Sequence, residues 1–525
     1  MRDFHKPGRS AVFATNGMCA TSHPLAAETA IDVLKRGGNA MDAAIAGAVL
    51  LGICEPQMTS IGGDCFALVS PAGSNKVQAM NGSGHAPRAA KADDLRAQGL
   101  NEVPTTGPES VTIPTAVDAF CKMSEKWGKL GIDALLAPAI HYADEGVPVA
   151  PRVAADWVSG AENLKGSARR FYLNDGHPLK TGDIFRSPEQ AGVLRRIAKS
   201  GASAFYEGEV AEDMQATLAQ FGGVHQLEDF ADANAFETDP IQSAYKGIDL
   251  IEHPPNGQGA TASLILNILS NFDLANMDPF GVDRTHIEAE AVKLGYDARN
   301  RFLADPDHMA RLDYMLSLDT ASELANLIDP KRAMANATQL SEAVHKDTIY
   351  ITVVDKDRMS VSLIYSIFHT FGAGIASDKF GILLHNRGSG FTLKQGHPNE
   401  YGAGKRPMHT IIPGMLAKAG APVMPFGVMG GQYQANGHAR LITNLMDFGM
   451  DIQTAIDSPR AFAYEGQLQL ENTFSESTVR QLAELGHEII APPSAIGGAQ
   501  AIFMHDNGVL EGGSDPRKDG CALGY

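Results

Sequence analysis

The hydrophobic and polar positions of this chain change character near its middle. In the first part the pattern is mainly helical. SHPLAAETAIDVLKR, residues 22–36, reads as a helix, with Ser22 as the expected cap, Pro24 in the first turn and Gly37-Gly38 as the stop. AMDAAIAGAVLLGIC follows, with Asn39 placed to cap it; its many small residues predict a helix packed tightly inside a core. TSIGGDCFALVS then predicts a glycine turn and a strand. Residues 108–200 are mostly helical, with loops near Pro148, Pro151 and Pro178. AYKGIDLIEHPPNGQGATASLILNIL reads as a strand, a Pro/Gly loop and an amphipathic helix, and residues 283–335 contain more helix.

From Thr348 the pattern turns to β. Thr348–Val354 and Ser360–Ile367 are rich in β-branched and aromatic residues and flank the polar turn DKDRM, which predicts a hairpin. Strand-like segments recur at GMLAK, PVMPFGVMGG and AIFMHD, and the helix QANGHARLITNLMDFGM follows the double glycine. Helices first and strands later, with helices interspersed, predict sheets covered by helices.

Composition narrows the function classes. The length of 525 residues suits one large domain or a few smaller ones. The apolar share of 44% is enough for a sizeable core, and the net charge of −18 repels nucleic acid and anionic membranes. The expectation is a small-molecule substrate, with neither nucleic acid nor membrane as partner. Five cysteines, Cys19, Cys54, Cys65, Cys121 and Cys521, form no C-x-x-C pair and read as free thiols rather than a disulfide framework or zinc site. MRDFHKPGRSAVFATNG lacks the roughly 7–15-residue apolar run of a secretory signal. No apolar stretch reaches the ~18 residues of a membrane span, so the expected location is the cytoplasm.

The hairpin also carries the candidate chemistry. If its loop is Asp355–Met359, Ser366 lies directly across from Thr348, where paired Cβ atoms are about 4.5–5.5 Å apart. A threonine hydroxyl needs a base, and the amine of an N-terminal threonine can serve as one. That requires a cut between Asp347 and Thr348. Gly430 and Gly431, between a strand and a helix, are candidate oxyanion donors through their backbone N–H groups. Taken singly, these residues are more often structural: a threonine opening a strand, a facing hydroxyl, a glycine turn. PPNGQG before a helix could hold an anion or be a plain loop. His369 and His409 lack metal-ligand spacing, and neither a metal nor an organic cofactor is expected.

Taken together and in order, the motifs resemble the γ-glutamyltransferase (glutathione hydrolase) family of N-terminal nucleophile hydrolases. KRGGNAMDAAIAGAVLLGICEPQMTSIGGDCFAL, GGVHQLEDFADANAFETDPIQSAYKGIDLIEHPPNGQG and TIYITVVDKDRMSVSLIYSIFHTFGAGI carry the resemblance, followed by GKRP, MGG and SDPRKDGCALGY. The resemblance implies an α+β fold, a four-layer αββα sandwich. It also implies a precursor cut into residues 1–347 and 348–525, both interwoven in one globular domain. Thr348 is then the nucleophile of both self-cleavage and turnover, its freed amine the base, Ser366 the supporting hydroxyl, and Gly430 and Gly431 the oxyanion glycines. A homo-oligomer is compatible with this reading.

The departures from the family pattern concern the substrate. Ser83, in SGHAP, stands where the family has the arginine for the glutamyl α-carboxylate. Gly390 stands at the carboxylate that holds the α-amine, His409-Thr410 at the Ser-Ser clamp, and Phe368 at an asparagine. The segment between Phe391 and GKRP is short, so the lid loop is expected to be missing. Each lost charged contact costs on the order of 1.5–3 kcal/mol, so glutamyl substrates should bind poorly. Arg387, His85 and His409 are the candidate replacements for an altered acyl group. The pattern is similar to the branch with oxamate amidohydrolase and cephalosporin-type acylases. The leading expectation is a self-processing amidohydrolase. A true glutathione hydrolase with a rebuilt clamp and a non-catalytic binding protein on the same fold are the alternatives.

Overall fold

The computed structural model describes residues 5, 8–334 and 348–525. Fourteen strands build two facing sheets: β1 (Val12–Ala14), β2 (Met18–Thr21), β3 (Asp64–Ser70), β4 (Gln78–Gly82), β5 (Phe236–Thr238), β6 (Ile241–Tyr245), β7 (Ile248–Glu252), β8 (Ile349–Val354), β9 (Ser360–Ser366), β10 (Gly414–Lys418), β11 (Ala421–Met429), β12 (Gly498–Met504), β13 (Leu510–Ser514) and β14 (Cys521–Gly524). One sheet has the order β14-β2-β8-β9-β3-β4-β5, the other β1-β13-β12-β11-β10-β7-β6. All neighbours in both sheets run antiparallel.

Helices cover both outer faces. α1 (Pro24–Lys35) and α2 (Ala40–Cys54) pack on the first sheet. α3 (Gly259–Leu269) and α5 (Gln434–Met446) pack on the second, and α4 (Val282–Phe302) lies against α3. The result is the expected α+β sandwich of four layers. All fifteen residues of α2 are buried, because small side chains on every face let it sit between α1 and the sheet. Each fully buried Val, Leu or Ile there contributes roughly 1.5–3 kcal/mol. Among the described residues, no helix is long and apolar enough to cross a membrane.

Strand alternation explains how the two sheets meet. Ile349, Ile351 and Val353 of β8 face the helices, as do Val361, Leu363 and Tyr365 of β9. Tyr350 and Ile364 point the other way, into the space between the sheets, with Phe66, Ile411 and Met429. The period of two therefore aims Thr348 and Ser366 between the sheets as well. Gly427 of β11 admits the Tyr350 ring: a Cβ there would lie 2.3 Å from a ring carbon. Gly427→Ala should therefore destabilise the fold by about 1–3 kcal/mol, the usual cost of overpacking, read from urea unfolding. An unchanged midpoint would mean the sheets separate more freely than this contact implies.

The fold departs from the sequence reading at several places. His23, not Ser22, caps α1, accepting from the Leu25 N–H at 3.3 Å, while Ser22 Oγ donates to Glu55 at 2.9 Å. Asn39 does cap α2, reciprocally with Asp42. The strand expected in AYKGIDLIEH is two, β6 and β7, turning at Lys246-Gly247. Strands are not confined to the later part either. Seven of the fourteen lie before residue 335, and β8 and β9 are flanked by β2 and β3. β1, β2, β4 and β5 span only three to five residues, too few for alternation to stand out. The cysteines are free thiols: Cys19, Cys54 and Cys65 are buried, and Cys121 and Cys521 partly so.

Candidate active site

Thr348 opens β8 at one end of the space between the sheets. The β8–β9 hairpin pairs Ile349 with Tyr365 and Val354 with Ser360, and the Asp355 N–H donates to the Met359 carbonyl at 3.1 Å to close the loop. This register puts Thr348 Oγ1 3.4 Å from Ser366 Oγ, both buried. Ser366 Oγ accepts the Phe368 N–H at 2.8 Å, which leaves the seryl proton free to point at Thr348. Such a donor would stabilise negative charge on Oγ1 as its proton leaves. Asp347 lies outside the described residues.

Phe368 turns the chain sharply, with φ +78°, a left-handed conformation rarely adopted by a bulky residue. The turn places its ring under the Arg387 guanidinium, 4.1 Å from the ring centre. Desolvated stacking of this kind contributes about 2 kcal/mol. Arg387 is fully buried and grips Asp64 with two bonds, Nε to Oδ2 and Nη2 to Oδ1, each 3.1 Å. Its Nη1 donates to Thr410 Oγ1 at 3.3 Å. Asp64 is the first residue of β3 and sits directly opposite Ser366 in the sheet.

Two histidines complete the surroundings of Asp64. His385 Nδ1 lies 3.1 Å from Oδ2, with its Nε2 2.7 Å from the Thr112 carbonyl. His409 Nε2 lies 2.8 Å from the same carboxylate oxygen. His409 Nδ1 has no hydrogen-bond partner among the described residues. Burial alone would raise the Asp64 carboxyl, but Arg387, His409 and His385 hold it well below the usual carboxylate range. Burial, and next Arg387, push His409 down to about 3, so its ring is neutral.

The glycine turn sits at the same end of the sandwich. Ser362 Oγ donates to the Phe426 carbonyl at 3.0 Å, and Ile364 packs with Met429, so β9 and β11 advance together toward Ser366 and Gly430. Gly430 and Gly431 have φ of +116° and +54°, and a Cβ on Gly430 would lie 2.7 Å from Gly497 Cα. Only glycine suits both demands. Gln258 joins the turn to the ion pair: its Nε2 donates to the Thr410 carbonyl at 2.7 Å and the Gly431 carbonyl at 3.3 Å. PPNGQG is thus a brace rather than an anion cradle. Asn256 and Gln258 bond both sides of His409, at 2.8 and 3.0 Å.

The gamma-glutamyltranspeptidase family model matches residues 26–525. The chain belongs to this family. It is an enzyme of the amidohydrolase or acylase kind found there. It is 34% identical to a glutathione hydrolase-like proenzyme of Bacillus subtilis, covering 98% of this chain and 99% of the relative. It is 32% identical to the oxamate amidohydrolase proenzyme of Klebsiella pneumoniae, covering 98% and 99%. The crystal structure of cephalosporin acylase from Bacillus halodurans superposes with a TM-score of 0.93 at 36% identity, covering 100% and 99%.

The residues that the sequence reading set at the substrate clamp are largely occupied. Ser83 Oγ accepts from Asn256 Nδ2 at 3.1 Å, and its carbonyl accepts Arg406 Nε at 3.0 Å. Gly390 ends a short 3₁₀ turn begun by Arg387, and a Cβ on it would lie 2.5 Å from the Met408 carbonyl. No side chain fits there without a shift of that loop. His85 Nδ1 lies 3.1 Å from the Ala86 carbonyl, and burial pulls its ring below the ordinary histidine value. The structure thus brings together Thr348, Ser366, Phe368, Arg387, His409 and Thr410, and leaves His85 turned to its own loop. Asp64 and His385 are the residues that sequence reasoning missed.

Proposed function

We propose that this chain is a precursor that cuts itself between Asp347 and Thr348 and then hydrolyses a small amide through an ester on Thr348. Thr348 Oγ1 attacks the Asp347 carbonyl, the chain shifts onto oxygen as an ester, and water releases the Asp347 carboxylate and a free threonyl amine. In turnover that amine takes the hydroxyl proton as Oγ1 attacks the substrate carbonyl. Ser366 donates to Oγ1, and the N–H groups of Gly430 and Gly431 receive the oxyanion. The leaving amine departs with the proton, and water cleaves the acyl ester. The observation that carries this reading is the Thr348–Ser366 hydroxyl contact at the head of the central hairpin.

The substrate is proposed to be an amide whose acyl group lacks the glutamyl amino-acid end. Asp64 neutralises Arg387, so that guanidinium brings no surplus charge for an α-carboxylate. The Met408 carbonyl closes over the position where an ammonium partner would stand at Gly390. The names of the relatives, an oxamate amidohydrolase and a cephalosporin acylase, fit this class. The experiment is a panel of γ-glutamyl-p-nitroanilide, oxamate and an acyl-β-lactam. The expected result is a kcat/KM for the glutamyl compound at least about 100-fold below the best non-glutamyl amide, the equivalent of two lost contacts at ~1.4 kcal/mol per tenfold. Efficient glutamyl turnover with a low KM would favour a true glutathione hydrolase. Absence of cutting and of any amidase activity would favour a binding role.

A further inference from the structure

A second cluster of chemically capable groups lies on the far side of the second sheet's helices, outside the proposed catalytic machinery. His286 and Glu290 are one turn apart on α4 and so share a face. His487, 201 residues beyond His286, enters from the loop after the helix Glu476–Glu484, whose residues pack on α4. All three are buried, and their ligand atoms lie within 4.8 Å of one another. His286 Nδ1 and His487 Nε2 are 2.8 Å apart. We infer that His286 Nδ1, His487 Nε2 and the Glu290 carboxylate bind one divalent transition-metal ion of the zinc class.

Two features support a ligand site over a plain histidine pair. The first is the tautomer. His286 Nε2 lies 2.8 Å from the Asp329 carbonyl and must donate to it, so Nδ1 presents a lone pair. A backbone acceptor behind the far nitrogen is the usual support of a metal-ligating histidine. The second is access: a cleft of about 250 Å³ lined by Glu290, Leu327, Asp329, Arg332, Ala333 and Met334 opens beside the cluster. Two imidazoles and a carboxylate suit zinc, with Zn–N distances of about 2.0–2.1 Å. A tetrahedral ion would set the two nitrogens ~3.3 Å apart, an opening of about half an ångström.

The competing group is Lys293. Its Nζ donates to Glu290 Oε1 at 2.7 Å and to the Met334 carbonyl at 3.1 Å, while the Met334 N–H donates to Oε2 at 2.7 Å. Each carboxylate oxygen keeps a lone pair for the ion, and Met334 still anchors the ammonium. Its like charge weakens the site without filling it. The cluster also spans the 347/348 junction, with ligands from both sides of it.

The test is zinc titration of the purified full chain after chelator treatment, followed by gel filtration and elemental analysis. The expected result is one equivalent retained, a rise in melting temperature that saturates at 1:1, and a d–d absorption band with Co²⁺. His487→Ala should lose the retained ion. Lys293→Met, which only removes the competing charge, should bind about tenfold more tightly. No retained metal in either the native protein or Lys293→Met would overturn the proposal, as would equal retention by His487→Ala. These readouts do not involve amide cleavage and stand whether or not the proposed activity does.

Discussion

Thr348→Ala leaves the chain uncut and lowers amidase activity by a factor on the order of 10⁴ or more, the scale on which loss of a catalytic nucleophile falls. The two losses share one cause. The same hydroxyl opens the Asp347 peptide and attacks the substrate, and alanine has no oxygen to do either. Thr348→Ser keeps the oxygen and should recover both in part. Ser366→Ala separates the roles further: it removes only the donor 3.4 Å away, so both steps slow without stopping. A single denaturing gel against time, with activity measured on the same samples, checks all three variants. Full activity in an uncut Thr348→Ala chain would place the nucleophile elsewhere.

Asp64→Asn destabilises the folded protein by about 3–5 kcal/mol, because it leaves a fully buried guanidinium without its counter-charge. Arg387 would keep Thr410, the Phe368 ring and one amide oxygen at position 64 as partners, and would face an NH2 donor where the second carboxylate oxygen stood. The pH dependence has a definite sign. The Asp64 carboxyl is held below its unfolded value of about 3.9. Its contribution is therefore present above pH ~4 and is lost as the pH falls through the folded value. Denaturant unfolding of the native protein at neutral pH and below pH 4 should show that loss, and the variant should lack this part of it. Selectivity should move as well. With the pair broken, the site gains a net positive charge, and carboxylate-bearing acyl groups should improve relative to neutral ones. If neutral and carboxylate substrates fell in step, Arg387 would not face the acyl group.

The central hairpin is legible in the sequence because everything that makes it is local. β-branched and aromatic residues run on both sides of a polar five-residue turn, and the register follows from the loop length. Asp64 is harder to see, although it stands in a stretch that reads at once as a glycine turn and a strand. A lone acid ahead of an apolar run looks like a boundary residue. Its reason for being there is Arg387, 323 residues later. The available signal is that an acid opening a strand buried on both faces must be paired, since unpaired carboxylates are almost never fully buried. The cap of α1 missed by one residue for a related reason: Ser22 is a better cap by type, but Glu55 claims its hydroxyl from another helix end. The role of Arg387 also changes with tertiary context. Sequence alone offers it as a free cation for a substrate, whereas the fold commits it to Asp64.

The most direct test of the account is the intact mass and N-terminal sequence of the purified, active native protein. The account predicts two tightly associated chains, the smaller beginning at Thr348, with turnover appearing only as that chain appears. Full amidase activity from a single chain continuous across residues 347 and 348 would contradict it.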